Sequence, residues 1–276
     1  MPRAPVHRLA VSLVPELRLI FAVLAALTAT VAQGENALPL VSAAPPGYVF
    51  DQPRIVTQQR LFGLAHGISL LADRCFDQPA HGEEVRQAYA AWHQQQAATI
   101  ALAQDELARY YFGERADDAA WLDIVTALGL KNSLSLKSGS PKLKAACATL
   151  AQALGRYHND LAAQFELQVK LDRLTVAAVT EAQAEACKVL LTGEATTALA
   201  AGIDAWRQQH SAALGEARQA VEQRWQEAHL EGSFDHWLNQ ARSSGRHKAT
   251  ADRCEGLTTW LATPAADPDA PFKPKS

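Results

Sequence analysis

Apolar residues recur every three or four positions along most of the chain beyond Val56, and no stretch alternates with the period of two that a half-buried strand requires. Leu61, Leu64, Ile68 and Leu71 carry this spacing through a first predicted helix, Val56–Cys75, and Pro79 and Gly82 mark the loop after it. A second helix is expected over Glu83–Phe112, with Tyr89, Trp92, Ile100, Ala103, Leu107 and Tyr110 or Tyr111 on its buried stripe and Gly113 as its stop. Asp117 or Asp118 is placed to cap a short helix through Leu128, and Pro141, after the polar turn Asn132–Ser140, is placed to open the next. Leu143, Cys147, Leu150, Leu154, Leu161 and Phe165 then keep helical spacing. One helix reaching Leu191 would be unusually long, so a break is expected near Lys170–Thr175. Gly193 marks a turn before a long helix, Thr196–His229, for which Thr196 or Thr197 is the expected cap. After Gly232 the pattern predicts a short helix at Phe234–Ala241, a polar loop at Ser243–Lys248 and a last helix at Ala251–Leu261.

The pattern repeats. Cys75, Trp92, Trp121, Cys147 recurs in order as Cys187, Trp206, Trp237, Cys254. Ala91–Tyr111 lies on Ala205–Trp225 without a gap, with 6 identities in 21 positions that include Trp92 on Trp206 and Gln94-Gln95 on Gln208-Gln209. Alanine-rich helices match one another easily, so the tryptophan, the glutamine pair and the cysteine order carry the inference of a duplication. The fold class read from these signals is all-α, two related disulfide-stapled helical bundle units in tandem. The expected divisions are 1–32, a signal peptide; 33–53, an extended lead-in; 54–165 and 166–262, the two helical repeats; and 263–276, a proline-rich disordered tail.

Charge and cysteine usage add a compartment. Arg3, Arg8 and Arg18 accompany the uncharged run Leu19–Ala32, which is short for a membrane span and ends in small residues, as an export signal does. An uncleaved anchor is the alternative for the same segment. Removing it, with three arginines and Glu16, takes the formal charge from −3 to −5. A mildly acidic chain without a dense basic run lacks the footprint of a nucleic-acid binder. Four cysteines in an exported chain favour two disulfides, and the repeat selects Cys75–Cys147 and Cys187–Cys254. Each would close a loop worth roughly 3–4 kcal/mol in the chain-entropy model. No Cys-x-x-Cys exists to argue for redox chemistry.

Candidate chemistry is sparse. No His-Glu-x-x-His, zinc-spaced Cys/His set, haem attachment motif or Gly-x-Ser-x-Gly elbow occurs, so no catalytic residue, metal or cofactor is assigned. Glu83-Glu84 and Asp117-Asp118 fall at predicted helix starts, where carboxylates offset the helix dipole. The candidate binding surface comprises Gln94, Gln95, Gln208 and Gln209, whose amides both donate and accept, together with Tyr110 or Tyr111, one of which must point away from the stripe. The leading expectation is a periplasmic or secreted, non-catalytic helical protein that binds a protein or other envelope macromolecule, as an adaptor, inhibitor or chaperone-like factor, with no nucleic acid and no membrane span in the mature form. A small-molecule or metal-binding bundle stands second, and an extracytoplasmic hydrolase third.

Overall fold

The computed structural model describes residues 40–227 and 234–273. The segment read as a signal peptide, His229 and Gly232 lie outside the described residues. All regular structure among them is helical: α1 (Pro53–Phe76), α2 (Gly82–Phe112), α3 (Trp121–Ala127), α4 (Pro141–Leu154), α5 (Leu161–Leu190), α6 (Glu194–Glu227), α7 (Phe234–Lys248) and α8 (Ala251–Leu261). Two short 3₁₀ segments lie between helices, at Gly113–Asp118 and Tyr157–Asn159, and two follow the last helix, at Pro264–Ala266 and Ala270–Phe272. No described helix is long and apolar enough to cross a membrane.

Local chemistry explains most of the boundaries. Pro53 and Pro141 stand in the first turns of α1 and α4, where the missing N–H would be unpaired in any case. Ser140 caps α4 by accepting from Leu143 N–H at 3.2 Å. Glu83 and Glu84 occupy the first turn of α2, and Gly113, at φ +56°, ends it. The short helix α3 is capped differently from expectation: Asp117 and Asp118 belong to the preceding 3₁₀ segment, and Asp123 reaches back to accept from Ala120 N–H at 2.9 Å. Helix α6 begins at Glu194, directly after Gly193 at φ +60°, so neither Thr196 nor Thr197 is its cap.

Three further expectations are corrected. The break expected near Lys170–Thr175 falls instead between Leu154 and Leu161, and α5 runs unbroken through 170–175 and across 165/166. Asp160 caps α5, accepting from Ala163 N–H at 3.1 Å. Ser243–Lys248 is not a loop; it completes α7, because Gly245 lets that helix lie against α5. The tail is ordered through Lys273: Ala266 and Phe272 are buried, and Arg173 holds Asp269 through two hydrogen bonds of 2.7 and 2.8 Å.

The helices pack as two groups that share α5. In the first, α1 packs on α2 and α4, and α3 packs on α2. In the second, α5 packs on α6, α7 and α8, and α6 packs on α8; α1 and α2 also touch α5. One core gathers Leu61, Ala65, Val85, Trp92, Ile100 and Leu150 around Cys75–Cys147. Another gathers Ala177, Leu199, Ile203, Trp206 and Leu257 around Cys187–Cys254. Both disulfides are formed, with Cα–Cα distances of 5.4 and 5.3 Å. In each core the buried tryptophan donates its indole N–H to a backbone carbonyl just past the last helix of the group: Trp92 to Asn159 at 2.7 Å, and Trp206 to Ala266 at 2.8 Å. A third cluster seats Phe234 and Leu238 of α7 on Leu174, Ala178, Ala217 and Val221.

Residues 41–52 form no helix and are tied down by hydrogen bonds. Gly47 N–H donates to Ala127 at 2.8 Å, Ala43 N–H to Tyr111 at 2.7 Å, and Val49 N–H to the Gln59 side chain at 2.9 Å.

Candidate functional site

Helix α2 presents two unlike faces. Its inner face holds Trp92, Gln96, Ile100, Ala103 and Leu107, all buried. Gln96 is a residue that the spacing does not flag: its side-chain oxygen accepts from Leu161 and Ala162 N–H at 2.9 and 3.3 Å, fastening α2 to the start of α5. The outer face runs Ala91, Gln94, Gln95, Ala98, Leu102, all exposed and spaced as one helical stripe. Between Arg86 and Asp105 the helix carries no charged residue. Solvated helix faces are ordinarily dressed with charge, and depletion of charge is what marks the centre of a protein interface.

The structure exposes Gln94, Gln95, Gln208 and Gln209 alike, but their settings differ. On α6 the glutamine pair is flanked by Asp204 and Arg207, and that arginine also pairs with Glu181 at 3.0 Å. The stripe on α2 is the charge-free one.

Of the tyrosine pair, Tyr111 is removed from the candidate surface. It is fully buried, donates to Gly47 carbonyl at 2.6 Å and accepts from Gln59 at 2.7 Å. Burial pushes its hydroxyl up to about 12, with the Gln59 hydrogen bond opposing. Tyr110 is half-buried, meets Tyr111 edge-on at 4.9 Å, and lines a cleft.

That cleft, of about 610 Å³, lies between the start of α1, the last turns of α2 and the C-terminal segment. Its apolar lining includes Pro53, Ile55, Tyr110 and Pro271. Arg54 and Glu106 form its ionic wall: the guanidinium binds both carboxylate oxygens and the carbonyl of Phe272, and Gln58 adds a bond to Glu106 at 3.0 Å. Glu106 is therefore engaged, with its side chain only 11% exposed. At the mouth Arg109 and Lys273 are open to solvent, each touching one carboxylate, Asp105 at 2.7 Å and Asp267 at 2.5 Å; Asp51 is exposed beside them. Ala98, Leu102, Asp105 and Arg109 continue one line along α2, so the charge-free stripe leads to the cleft.

A second, smaller cleft of about 280 Å³ lies between the start of α5 and the last turns of α6. There Arg224 lies over the ring of Tyr157, 3.1 Å from its centroid, and donates to Glu227 at 2.7 Å. Burial raises the Tyr157 hydroxyl above its ordinary value, and Arg224 opposes the shift.

Three histidines, His66, His93 and His210, lie against aromatic rings. Trp121 donates to His66 Nδ1 at 3.1 Å; an indole N–H can only donate, so the ring hydrogen sits on Nε2, which meets the Lys131 carbonyl at 2.9 Å. His93 and His210 lie against Tyr89 and Trp206. Among the described residues no three His, Cys, Asp or Glu side chains converge as metal ligands would. No protein-family model, curated protein or solved structure matches the chain.

Proposed function

We propose that this chain is an exported helical binding protein, built from a duplicated disulfide-stapled unit, which acts by associating with another envelope macromolecule rather than by catalysis. The observation that carries the binding reading is the charge-free, solvent-facing stripe Ala91, Gln94, Gln95, Ala98, Leu102. Alanines allow a second helix to approach closely, and the glutamines supply hydrogen bonds without the desolvation penalty of an ion. The export reading is supported by two formed disulfides and by the N-terminal sequence.

The duplication is supported by matching positions in the two cores. Ala65 and Ala72 precede Cys75 by ten and three residues, as Ala177 and Ala184 precede Cys187. Val85 stands seven before Trp92, as Leu199 stands before Trp206. Leu150, Leu154 and Asn159 follow Cys147 at the same intervals as Leu257, Leu261 and Ala266 follow Cys254, and those last residues accept the two indole hydrogen bonds.

The test places a carboxylate on the stripe. Ala98→Glu and Gln95→Glu alter exposed positions and should leave thermal unfolding within about 0.5 kcal/mol of the parent. Capture of a defined partner from an envelope extract, and its cross-linking to a probe at position 94, should be lost in Ala98→Glu. A partner retained equally by both variants would refute the stripe as the interface.

A further inference from the structure

One long stretch of the chain lacks negative charge. Residues 124–159 hold Lys131, Lys137, Lys142, Lys144 and Arg156 and not one aspartate or glutamate. The stretch carries +5, whereas the rest of the chain from residue 33 onward carries −10. All five cations are exposed, and none is ion-paired among the described residues. Arg156 donates to the neutral Gln152, at 3.4 Å. The fold makes this stretch an outer layer on the first group of helices. His66 of α1 holds the Lys131 carbonyl at 2.9 Å, Leu136 packs on the first core, and α4 turns Leu143, Cys147, Leu150 and Leu154 inward. Ala145, Ala148, Thr149 and Gln152 face solvent, with Lys142 and Lys144 at one end of α4 and Arg156 past the other, roughly 20 Å apart. The carboxylates around the layer leave its charge standing. Asp123 and Asp160, which bound the stretch, accept from Ala120 and Ala163 N–H. At the adjoining ends of α1 and α2, Glu83 pairs with Arg86 at 3.7 Å, and Asp73, Asp77 and Glu84 form no ion pair with the five cations.

We propose that this layer docks the protein, peripherally and reversibly, on an anionic phospholipid surface. Charge complementarity decides the occupant. Protein interfaces are depleted of lysine and centred on aromatic or other large apolar side chains. None of the large exposed apolar residues of the described chain falls within 124–159. A nucleic-acid face offers rings on which bases stack or arginine forks for phosphate. Residues 124–156 contain no Phe, Tyr or Trp, and four of the five cations are lysines. Lysines are point charges on flexible stems, and here they are spread over a layer rather than converged on a pocket. That distribution matches the diffuse charge of a lipid leaflet rather than one discrete anion. The same surface repels the acidic remainder of the chain, so the molecule approaches with this layer first. Without an apolar anchor the attraction is about fivefold in partition for each cation near the surface, and salt screens it. The docking layer requires neither the stripe on α2 nor the partner proposed for that stripe.

Co-sedimentation of the full mature chain with vesicles tests the docking. Vesicles of phosphatidylcholine mixed with phosphatidylglycerol should bind the protein at low salt and release it as salt is raised. Vesicles of phosphatidylcholine alone should not bind it. Lys137→Gln, Lys142→Gln and Lys144→Gln together should weaken partition about hundredfold, three cations at about fivefold each, with the melting curve unchanged. Arginine at the same three positions should retain the parent partition. Arg246→Gln, Lys248→Gln and Arg253→Gln together make the same change in net charge outside the layer and should leave partition within about threefold. Equal binding to both kinds of vesicle, no binding to the anionic ones, or equal losses in the two glutamine triples overturns the proposal. So does tighter binding, at matched salt, to polyglutamate or to a single-stranded oligonucleotide, which would reassign the layer to an acidic protein or a nucleic acid. Ala98→Glu is measured alongside and should keep vesicle binding, so that failure of this layer and failure of the stripe are read separately.

Discussion

Replacing Trp92 or Trp206 probes what holds each half closed. Both side chains are buried, 4% and 2% exposed, and each makes two separable contributions. The ring fills the core beside the disulfide, and the indole N–H satisfies a carbonyl just beyond a helix end. Trp→Phe keeps most of the ring and removes the donor, leaving that carbonyl unpaired at a cost of about 1–3 kcal/mol. Trp→Ala removes both and leaves a cavity, for a cost of about 3–5 kcal/mol. Against the 5–15 kcal/mol typical of a whole domain, the alanine variants lose a large share of the stability. Urea unfolding with the disulfides intact should show a lower midpoint at unchanged slope. Hydrogen exchange should localise the milder change: Trp92→Phe should free amides around 157–161, and Trp206→Phe those around 264–273. An alanine variant within 1 kcal/mol of the parent, or a phenylalanine variant whose exchange rises uniformly, would refute the reading of these tryptophans as local latches.

Further outcomes follow from other contacts. A Cβ on Gly245 would come 2.3 Å from the Val179 carbonyl, backbone against backbone, so Gly245→Ala should destabilise by about 2–3 kcal/mol in thermal unfolding. At Gly67 a Cβ meets nothing within 4 Å, and Gly67→Ala should instead stabilise by about 0.5–1 kcal/mol. Reducing either disulfide releases a loop spanning 72 or 67 residues and should cost about 4 kcal/mol, read as a lower melting temperature of the single Cys→Ser pairs. Tyr111, with its folded value raised to about 12, binds its proton more tightly than the unfolded chain does; its contribution is complete below pH 10 and is lost as pH rises through 12, by up to roughly 2.7 kcal/mol. Alkaline unfolding of Tyr111→Phe should lack that limb.

The long helices and both disulfide partners were legible because each rests on a local or repeated signal. Ala251–Leu261 follows its apolar spacing to the residue. The α4–α5 break is masked in the sequence because Leu154 and Leu161 are seven apart, the spacing of two helical turns, so the stripe runs on while the backbone does not. Gly155, Asn159 and the Asp160 cap were the usable signs. The order of the tail is hidden for another reason: prolines suggest disorder, whereas Pro264 and Pro271 here stand in the first turns of 3₁₀ segments held by Trp206 and Arg173. The adjacency of Tyr110 and Tyr111 implies that one faces away from the core, but only the strap at Gly47 decides which. The cleft was out of reach, since its walls come from residues 51–55, 106–110 and 270–273.

The hydrogen bond from Arg54 to the Phe272 carbonyl spans 218 residues, and it sets an order of assembly in time. In a chain emerging N-terminus first, Cys75–Cys147 and the Trp92–Asn159 contact can close before anything beyond Asn159 exists. Closing the longer loop adds only about 1 kcal/mol of chain entropy, so the constraint is on timing rather than on energy. Until Ala270–Lys273 arrives the cleft has no third wall. A chain clipped before Ala270 would thus close its first disulfide and its Trp92 contact and still lack the third wall of the cleft.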